Sequence, residues 1–493
     1  MTSLWTVPGQ QEDLDPFPAD ARCDVLIVGA GVTGLTAATA AARHQAHVTL
    51  IDALKPGALT SGHSTGKVTL LQGARLSTIR DRSSAAVADA YVEANRLGAE
   101  YIRELSASHP DYEVAPAYSY ATDDDGVDAL EAERGLANEL DVPVVTSSTP
   151  ELPFEVRSAI RLDEQFMINP MMLVRRLLSR ARERGVEVVS ECLAKAVHAT
   201  GDGFEIETSR GSIRAGLVIV ATGTPFLNRG THFARLRASR SFVAAFRAET
   251  IPLRGMYLSV RDDTKSLRPA RVDGTDYLIV AGGNHTVGRE DSTSARAAAL
   301  HDWARTQFPG LQLTHSWAAQ DYESLDSAPE IGPIRQGENG ILVATGFGKW
   351  GLAAGVAAGI ALAESARDNR PAWLREMDEH RGTLDVAGRL IGRNAEVVAE
   401  LAAGAAHALV EGVPDDLGEG EGAVSLQRGR PTGVCRIAGE LHRVSAVCPH
   451  LGGILTWNDA EQSWDCPLHG SRFRYDGERI EGPARADLRH RPD

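Results

Sequence analysis

The 493-residue sequence is poor in cysteine, lacks a long apolar run and carries no excess of positive charge. An odd set of five cysteines excludes a disulfide framework of the kind found in small secreted proteins. The longest weakly polar stretch, residues 352–363, is too short to span a bilayer, and the N-terminal residues lack the basic start and apolar core of a signal peptide. A formal net charge of −15 argues against nucleic acid or an anionic membrane as the partner. We therefore expect a cytoplasmic protein without membrane insertion.

The length and the composition indicate a globular protein of more than one domain. Hydrophobic residues make up 43% of the chain and charged residues 24%, so the chain can bury a sizeable core. The pattern predicts a body over residues 1–380, a helical linker over 381–412 and a small domain over 413–493. The predicted fold is an α/β (α+β) Rossmann-like body with an inserted antiparallel portion, followed by a small all-β domain.

Alternation of buried strands, glycine turns and helices places the main elements of the body. Residues 24–52 predict a βαβ unit whose helix is rich in small residues. The remaining predictions are a helix over 171–185, hairpin strands over 196–214, a parallel strand over 217–222, an antiparallel portion from about 230 to 330, and a strand, turn and helix over 340–364.

Two cysteines and two histidines near the C-terminal end have the spacing of metal ligands. Cys448-x-His450 is separated by fifteen residues from Cys466-x2-His469. Two thiolates and two imidazoles suit a zinc site or a Rieske-type [2Fe–2S] cluster. Zinc knuckles usually pair their cysteines closely, whereas here each loop holds one cysteine and one histidine. The arrangement favours the cluster over zinc and over a chance grouping without metal.

The same segment resembles the Rieske family in CPHLGG (448–453), in CPLHGSRF (466–473) and in the later GPA (482–484). The resemblance implies that Cys448, His450, Cys466 and His469 hold the cluster. High-potential members of that family add a disulfide, a serine donor and a tyrosine donor around the cluster. The corresponding residues here are Gly453 and Leu468, Ser471, and Phe473. The resemblance therefore implies a cluster of intermediate or low reduction potential.

A glycine-rich turn near the N-terminus has the pattern of a dinucleotide site. Gly29, Gly31 and Gly34 lie between a predicted buried strand and a helix, and Asp52 ends the next strand. The glycines allow a tight turn and close approach of a pyrophosphate to the helix N-terminus, and the acid can hold a ribose hydroxyl. The pattern predicts a dinucleotide but does not separate FAD from NAD.

Further segments resemble the D-amino-acid-oxidase-like family, which includes glycine oxidase and sarcosine oxidase. Residues 221–223 resemble its second flavin-domain turn, and residues 346–351 its C-terminal flavin-contacting turn. The latter turn also fits a second nucleotide site, but no strand ending in an acid follows its helix. Residues 317–334 resemble the segment that precedes this turn, except that Asp321-Tyr322 replaces the usual Arg-Pro. The family's contact with an amino-acid carboxylate is therefore not carried over.

The resemblance implies FAD as the cofactor and a loop over residues 61–67 that wraps around it. Lys67 is the predicted catalytic residue, as a positive charge near the flavin ring; its alternative is a phosphate or carboxylate partner. His63 is a weaker hypothesis for a covalent flavin link. The predicted FAD-binding residues are Gly29, Ala30, Gly31, Val32, Thr33, Gly34, Asp52, Ala53, Ser64, Thr65, Gly66, Lys67, Val197, Thr222, Gly223, Gly346, Phe347, Gly348, Lys349, Trp350 and Gly351.

These motifs together predict an FAD- and Rieske-containing oxidoreductase. We expect the flavin to oxidise a small organic substrate, an amine or an N-methylated amino acid. The cluster then passes the electrons singly to an external acceptor or redox partner protein. Two alternatives stay open at this point: a reductase that supplies a partner oxygenase from NAD(P)H, and an ordinary oxidase whose cluster is structural or redox-sensing.

Overall fold

The computed structural model describes residues 2–6, 16–17, 21–44, 46–147, 151–230, 232–261, 263–335, 337–338, 340–380 and 417–491. The predicted helical linker, 381–412, and the predicted start of the small domain at 413 lie outside the described residues. The predicted boundaries between the three parts therefore stay predictions.

The described chain alternates strands and helices in the body and contains short strands in the C-terminal part. The first elements are β1 (Arg22–Val28), α1 (Val32–Ala42), β2 (Val48–Ile51), α2 (Thr60–His63), β3 (Lys67–Val68), α3 (Arg75–Arg82), α4 (Ala85–Ser106), β4 (Glu113–Ala121), α5 (Asp124–Glu139), β5 (Val145–Ser147), β6 (Ser158–Met167), α6 (Pro170–Glu183), β7 (Glu187–Val189), β8 (Ala194–Thr200), β9 (Gly203–Thr208) and β10 (Ser212–Val220). They are followed by α7 (His232–Arg235), β11 (Leu236–Arg247), β12 (Met256–Ser259), β13 (Ser266–Val272), β14 (Thr275–Thr286), α8 (Thr293–Gln307), β15 (Gln312–Ser324), β16 (Glu330–Pro333), β17 (Ile341–Thr345), α9 (Gly351–Ser365) and α10 (Ala372–His380). The C-terminal strands are β18 (Gly422–Gln427), β19 (Arg430–Ile437), β20 (Glu440–Ser445), β21 (Thr456–Asn458), β22 (Ser463–Asp465), β23 (Arg472–Arg474) and β24 (Arg479–Glu481).

The first sheet of the body has the predicted Rossmann-like order. In the described residues its strands run β16-β17-β10-β1-β2-β7, and the hairpin β8–β9 extends it from β10. β1 pairs in parallel with β2 and β10, and β10 pairs in parallel with β17. The strands carry apolar runs because helices cover the sheet. The predicted βαβ unit, the hairpin and the parallel strand over 217–222 are all confirmed.

Small residues let helices α1 and α9 pack closely against each other. A side chain at Gly355 would lie 2.6 Å from Thr33 Oγ1, and one at Gly359 would lie 2.4 Å from the Thr33 carbonyl oxygen. Helix α9 therefore approaches α1 backbone to backbone. This contact places the N-terminal ends of both helices on the same side of the body, where β1 and β17 end.

The second sheet of the body contains the antiparallel portion predicted from about 230 to 330, and β3 to β6 of residues 67–167, which were not predicted, extend it. Within the described residues its order is β15-β11-β14-β13-β12-β4-β6-β3, with β5 beside β6. Its pairs are antiparallel except β12 with β4. Long strands β11, β14 and β15 bring residues 236–247, 275–286 and 312–324 into register beside one another.

The C-terminal part forms a small all-β domain, as predicted. It contains a three-stranded sheet, β18-β19-β20, and a four-stranded sheet, β21-β22-β23-β24, both antiparallel over the residues described. Trp464 and Phe473 are fully buried between them. Through the whole described part of the chain, helices long and apolar enough to cross a membrane are absent.

Candidate functional site

A cavity of about 700 Å³ lies where the two sheets of the body meet. One wall comes from the turn after β1, the end of β2 and the start of α9. A second wall comes from β11, β14 and β15 of the antiparallel sheet. The third wall comes from the small domain, which contributes residues 479–482. The cavity is therefore built by both domains.

The glycines of the first turn take the three positions that a dinucleotide turn requires. Gly29 has φ of 109°, and a side chain there would lie 2.5 Å from the Ala221 carbonyl oxygen. A side chain at Gly34 would lie 1.8 Å from the Gly29 carbonyl oxygen, so Gly34 permits contact between helix and strand. Gly31 is the N-cap of α1 and lines the cavity. The first helical turn thus offers its backbone amides to an anion.

Asp52 connects the second strand to this turn. Its carboxylate accepts the Ala30 amide at 2.6 Å and the Leu54 amide at 2.7 Å. Burial raises the pKa of Asp52 to about 6, against the lowering effect of these two amides. Asp52 lines the cavity, so its remaining acceptor positions can meet a ribose hydroxyl.

Most predicted FAD-binding residues lie on the cavity wall. Those that do are Gly29, Gly31, Val32, Thr33, Asp52, Ala53, Ser64, Thr65, Lys67, Thr222, Gly223, Phe347, Gly348, Lys349, Trp350 and Gly351. Ala30, Gly34, Gly66, Val197 and Gly346 are not part of the wall. Val197 is buried in a core that it shares with residues of β1, β9, β10 and β17, and its predicted contact with the adenine part stays a prediction.

Lys67 is a buried cation on the cavity wall. It is 8% exposed, hydrogen-bonds to the Ser266 hydroxyl and lies 5.8 Å from the Trp350 ring centroid. Burial lowers the pKa of Lys67 to about 7, and the nearby Arg268 adds to the shift. A substantial fraction of Lys67 is therefore neutral at neutral pH and can accept a proton.

Charges of both signs line the cavity where β11 and β15 face the turn after β17. Arg237 pairs with Glu323 at 2.7 Å, and Lys349 Nζ donates to Asn284 Oδ1 at 2.6 Å. The Lys349 amide donates to the carboxylate of Asp321. Burial raises the pKa of Asp321, against the lowering effect of this amide and the charge of Lys349.

The two predicted cluster loops have the same backbone geometry. The Cys448 amide donates to the Gly453 carbonyl at 2.9 Å, and the Gly452 amide to the Cys448 carbonyl at 3.0 Å. In the second loop, the Cys466 amide donates to the Ser471 carbonyl at 2.8 Å, and the Gly470 amide to the Cys466 carbonyl at 3.0 Å. Gly452 and Gly470 have φ of 77° and 71°. The two loops therefore contain the same type of turn and differ only in the position of the histidine.

The four predicted ligands converge between these loops. The ring centroids of His450 and His469 lie 5.1 Å apart, and the thiols of Cys448 and Cys466 are hydrogen-bonded to each other. Nδ1 of both histidines is buried and has no hydrogen-bond partner among the described residues. Burial lowers the pKa of each histidine to about 4, so both imidazoles are neutral and able to ligate.

This donor set fits a two-iron cluster. Contact with the Cys466 thiol, with amides and with the Ser471 hydroxyl lowers the pKa of Cys448 to about 7 against the effect of burial. In the described part of the chain, no three His, Cys, Asp or Glu side chains come together closely enough to hold a single metal ion. Two sulfur donors beside two nitrogen donors are the set that a Rieske cluster divides between its two irons.

Buried ion pairs join the small domain to the body. Arg240 of β11 contacts Glu461 and Glu481 of the small domain, with 2.9 Å to Glu481. Arg472 pairs with Glu481 at 2.9 Å and with Asp465 at 2.9 Å. Burial alone would raise the pKa of Glu461, but Arg240 and Arg472 lower it to about 2. Removing one partner of such a network leaves an uncompensated buried charge, which commonly costs about 3–5 kcal/mol.

Hydrogen bonds add to this interface at two places. Asp459 of the small domain accepts the amides of Thr293 at 2.8 Å and Ser294 at 2.9 Å, at the start of α8. His450 Nε2 lies 2.8 Å from Asn228 Oδ1 in the loop after β10. Because an amide oxygen can only accept, this contact requires the proton of His450 on Nε2 and leaves its buried Nδ1 as the nitrogen free to ligate.

The charged residues of this interface carry no motif that the sequence could have revealed. Arg240 is 221 residues from Glu461 and 241 residues from Glu481 in the chain. His285 is likewise buried on β14 and lines the cavity, yet it stands in no recognisable pattern. The sequence signals at this interface are the departure at Asp321-Tyr322 from the family pattern and the two ligand loops, where His450 contacts Asn228 and Gly470 contacts Gln320.

Comparison with known proteins assigns both parts of the chain. The family described as FAD dependent oxidoreductase matches residues 24–365, and the Rieske [2Fe-2S] domain family matches residues 407–492. The chain is 30% identical to the putative Rieske 2Fe-2S iron-sulfur protein YhfW of Bacillus subtilis (strain 168) over 486 residues. This similarity covers 96% of the chain and 94% of that protein.

Solved structures are similar to the body of the molecule. Glycine oxidase from Geobacillus kaustophilus has a TM-score of 0.60 and 18% identity, with 71% of this chain and 96% of that chain covered. L-proline dehydrogenase from P. horikoshii has a TM-score of 0.59 and 15% identity, with 73% of this chain and 98% of that chain covered. At these identities the similarity establishes the fold of the body.

Proposed function

The chain belongs to the FAD dependent oxidoreductase family and carries a Rieske [2Fe-2S] domain, and from this premise we propose that it oxidises a small amine or N-methylated amino acid and passes the electrons singly to an external acceptor. FAD supplies a two-electron acceptor and the cluster a one-electron carrier. The observation that supports the proposal is the cavity, because the dinucleotide turn and residues 479–482 of the small domain line the same space.

The residues at one end of the cavity would hold FAD. The amides at the start of α1 would bind the pyrophosphate, and Asp52 would accept a ribose hydroxyl. Thr222 and Gly223, which follow β10, line the cavity beside the turn at Gly29. Gly223 is held in place because its carbonyl oxygen accepts the Thr345 hydroxyl at 2.5 Å.

Lys67 would move a proton during substrate oxidation. An amine must lose its ammonium proton before it can give up a hydride, and a buried lysine with a pKa near 7 is a competent acceptor. Ser266 orients the amino group through their hydrogen bond. The Trp350 ring lies beside it, with 5.8 Å between the amino group and the ring centroid.

The mixed charges of the wall suit a substrate that carries both an ammonium and a carboxylate group. Arg237 and Lys349 are cations on the wall, and Asp321 and Glu323 lie beside them. By their names, the two similar solved proteins act on glycine and L-proline. An amino acid or its N-methyl derivative is therefore the first class to test, although the family's usual arginine is replaced here by Asp321.

Anaerobic titration tests this function. The purified holoenzyme is mixed with a panel of amines and N-methylated amino acids, and separately with NAD(P)H, while visible and EPR spectra follow flavin and cluster. We expect an amine-class substrate to bleach the flavin and then to produce the reduced cluster signal. Reduction by NAD(P)H alone would overturn the proposal in favour of a reductase. Stoichiometric hydrogen peroxide in air, without cluster turnover, would overturn the passage of electrons to an acceptor.

A further inference from the structure

The side chain of Tyr322 lies between the flavin cavity and the second cluster loop. It is 5% exposed and lines the cavity. Its ring lies 3.7 Å from the position that a Gly223 side chain would take, which is ordinary van der Waals contact. Its hydroxyl lies 3.4 Å from the corresponding position at Gly470. One aromatic side chain therefore spans the distance between the turn after β10 and the cluster loop.

Gln320, two residues earlier on the same face of β15, holds this arrangement together. Its Nε2 donates to the Gly470 carbonyl at 2.7 Å and to the Tyr322 hydroxyl at 2.8 Å. Gln320 is 2% exposed. Gly470 is next to the ligand His469, so the hydrogen bond positions the backbone that carries a cluster ligand.

The close fit at Gly470 requires glycine. A side chain there would lie 2.4 Å from Ala238 Cβ and 2.9 Å from Gln320 Nε2, and the residue has φ of 71°. The second loop is thus pressed against β11 and β15. By contrast, Asn228, which contacts the other ligand histidine, does not line the cavity.

The charge network around Arg240 keeps the loop in this place. Arg240 neighbours Ser239 and Ser241, which line the cavity, and it pairs with Glu481, which also lines it. The small domain is therefore docked on the cavity wall by buried charges. Tyr322 occupies the narrow layer that remains between cavity and loop.

We propose that Tyr322 is the bridge across which electrons pass from the flavin site to the cluster, with Gln320 as its positioning residue. The inference rests on the proposed function. Substrate oxidation leaves two electrons on FAD, and they cross Tyr322 one at a time. Each electron reduces one ferric iron of the cluster to ferrous, and the second crosses after the first has left for an external one-electron acceptor. The two protons go to water through the cavity. Tyr322 stands where the family pattern has proline, and its hydroxyl reaches the small domain at Gly470.

Photoreduction separates this step from substrate chemistry. The flavin of the holoenzyme is reduced by light and a sacrificial donor, and the growth of the reduced cluster signal is timed by EPR. We expect Tyr322→Leu to slow this growth by at least about tenfold, equivalent to about 1.4 kcal/mol in the barrier, because the smaller side chain leaves a gap between cavity and loop. Tyr322→Phe keeps the ring and should stay within about twofold of the parent protein.

Gln320→Leu should also slow the transfer, and Gln312→Leu is its matched control. Gln312 is an exposed residue at the other end of β15, so its substitution should leave the rate unchanged. The cluster potential and the g-values should be the same in all four variants. A rate in Tyr322→Leu equal to that of the parent protein would overturn the inference, and so would a cluster potential that shifts with the rate. Absence of cluster reduction in the parent protein would instead overturn the proposed function.

Discussion

The two cofactor sites of this molecule are built in opposite ways. The predicted cluster ligands lie within residues 448–469, on two loops that fold by hydrogen bonds inside the same domain. The flavin cavity draws its wall from residues 28–482 and needs both sheets of the body and part of the small domain. A local site depends on a few residues, each of which is indispensable. A dispersed site depends on many, each with a graded effect.

The ligands of the local site should give the largest effect. Cys448→Ser and His469→Ala should each abolish the cluster while FAD stays bound, since the ligands lie outside the cavity wall. The measurements are iron content, EPR and flavin absorbance. Cys435→Ser is the matched control, because Cys435 is buried in the same domain but points to the Tyr475 carbonyl. A rhombic Rieske signal in the double variant would refute the ligand assignment.

Gly31→Val should abolish FAD binding by a single substitution, although the flavin cavity is built from many residues. A side chain at this position would occupy the space between α1 and the pyrophosphate and would lie 2.9 Å from Ser61 Oγ. We expect the loss of FAD from the purified protein, measured by absorbance and by fluorescence titration of apoprotein. Gly135→Val is the control, because no atom lies within 4 Å of a side chain added there. Full flavin content in Gly31→Val would show that residues 29–34 do not form the dinucleotide site.

Lys67→Met tests the chemistry at the cavity wall. Lys67 is protonated below its pKa of about 7 and neutral above it, so flavin reduction by substrate should speed up as the pH rises through 7. The variant should lose this pH dependence and react roughly 10²–10⁴-fold more slowly, the usual contribution of a general base. Stopped-flow absorbance at several pH values measures both effects. An unchanged pH profile in the variant would remove Lys67 from the mechanism.

Asp52→Ala should have a graded effect on the same cavity. One hydrogen bond to a charged group is worth about 1.5–3 kcal/mol, so FAD affinity should fall roughly tenfold to 150-fold without being abolished. The affinity of the parent protein should also fall as the pH drops below about 6, where Asp52 becomes protonated. Fluorescence titration of apoprotein with FAD checks both. Complete loss of FAD would mean that Asp52 is needed to fold the turn at residues 30–54.

The smallest expected effect concerns the potential of the cluster. Leu468 lies against Gly453, where a side chain would come within 2.8 Å of it, but neither residue is a cysteine, so these positions form no disulfide. The hydroxyl of Ser471 hydrogen-bonds to the Cys448 sulfur, but Phe473 has no hydroxyl to donate. Only one of the three features that stabilise the reduced cluster is present. The midpoint reduction potential of the cluster should therefore lie below about +200 mV, within a family range of roughly −150 to +300 mV. Phe473→Tyr should raise it, and redox titration by EPR decides; a higher midpoint in the parent protein would contradict this reasoning.

The elements that could be predicted from the sequence are those whose pattern is local. A hydrophobic periodicity and glycine turns within one short segment were enough to predict three of them: the unit over residues 24–52, the helix over 171–185, and the strand and helix over 340–364. The ligand loops are local for the same reason. Val197 shows the limit of this approach: its strand is correct, but Val197 is buried in a core and does not itself line the cavity, so its contact with the adenine part stays a prediction.

The sequence by itself determined that the chain can hold a dinucleotide and an iron–sulfur cluster, because the spacing of glycines, cysteines and histidines is a property of neighbouring residues. Only the tertiary structure decided how the two sites meet. Arg240 pairs with Glu461 and Glu481 across the domain interface, and Tyr322 lies between Gly223 and Gly470. These contacts join residues that are far apart in the chain. They form only after folding has brought the residues together, and buried charges and close packing then maintain them. No periodicity in the sequence encodes such a contact.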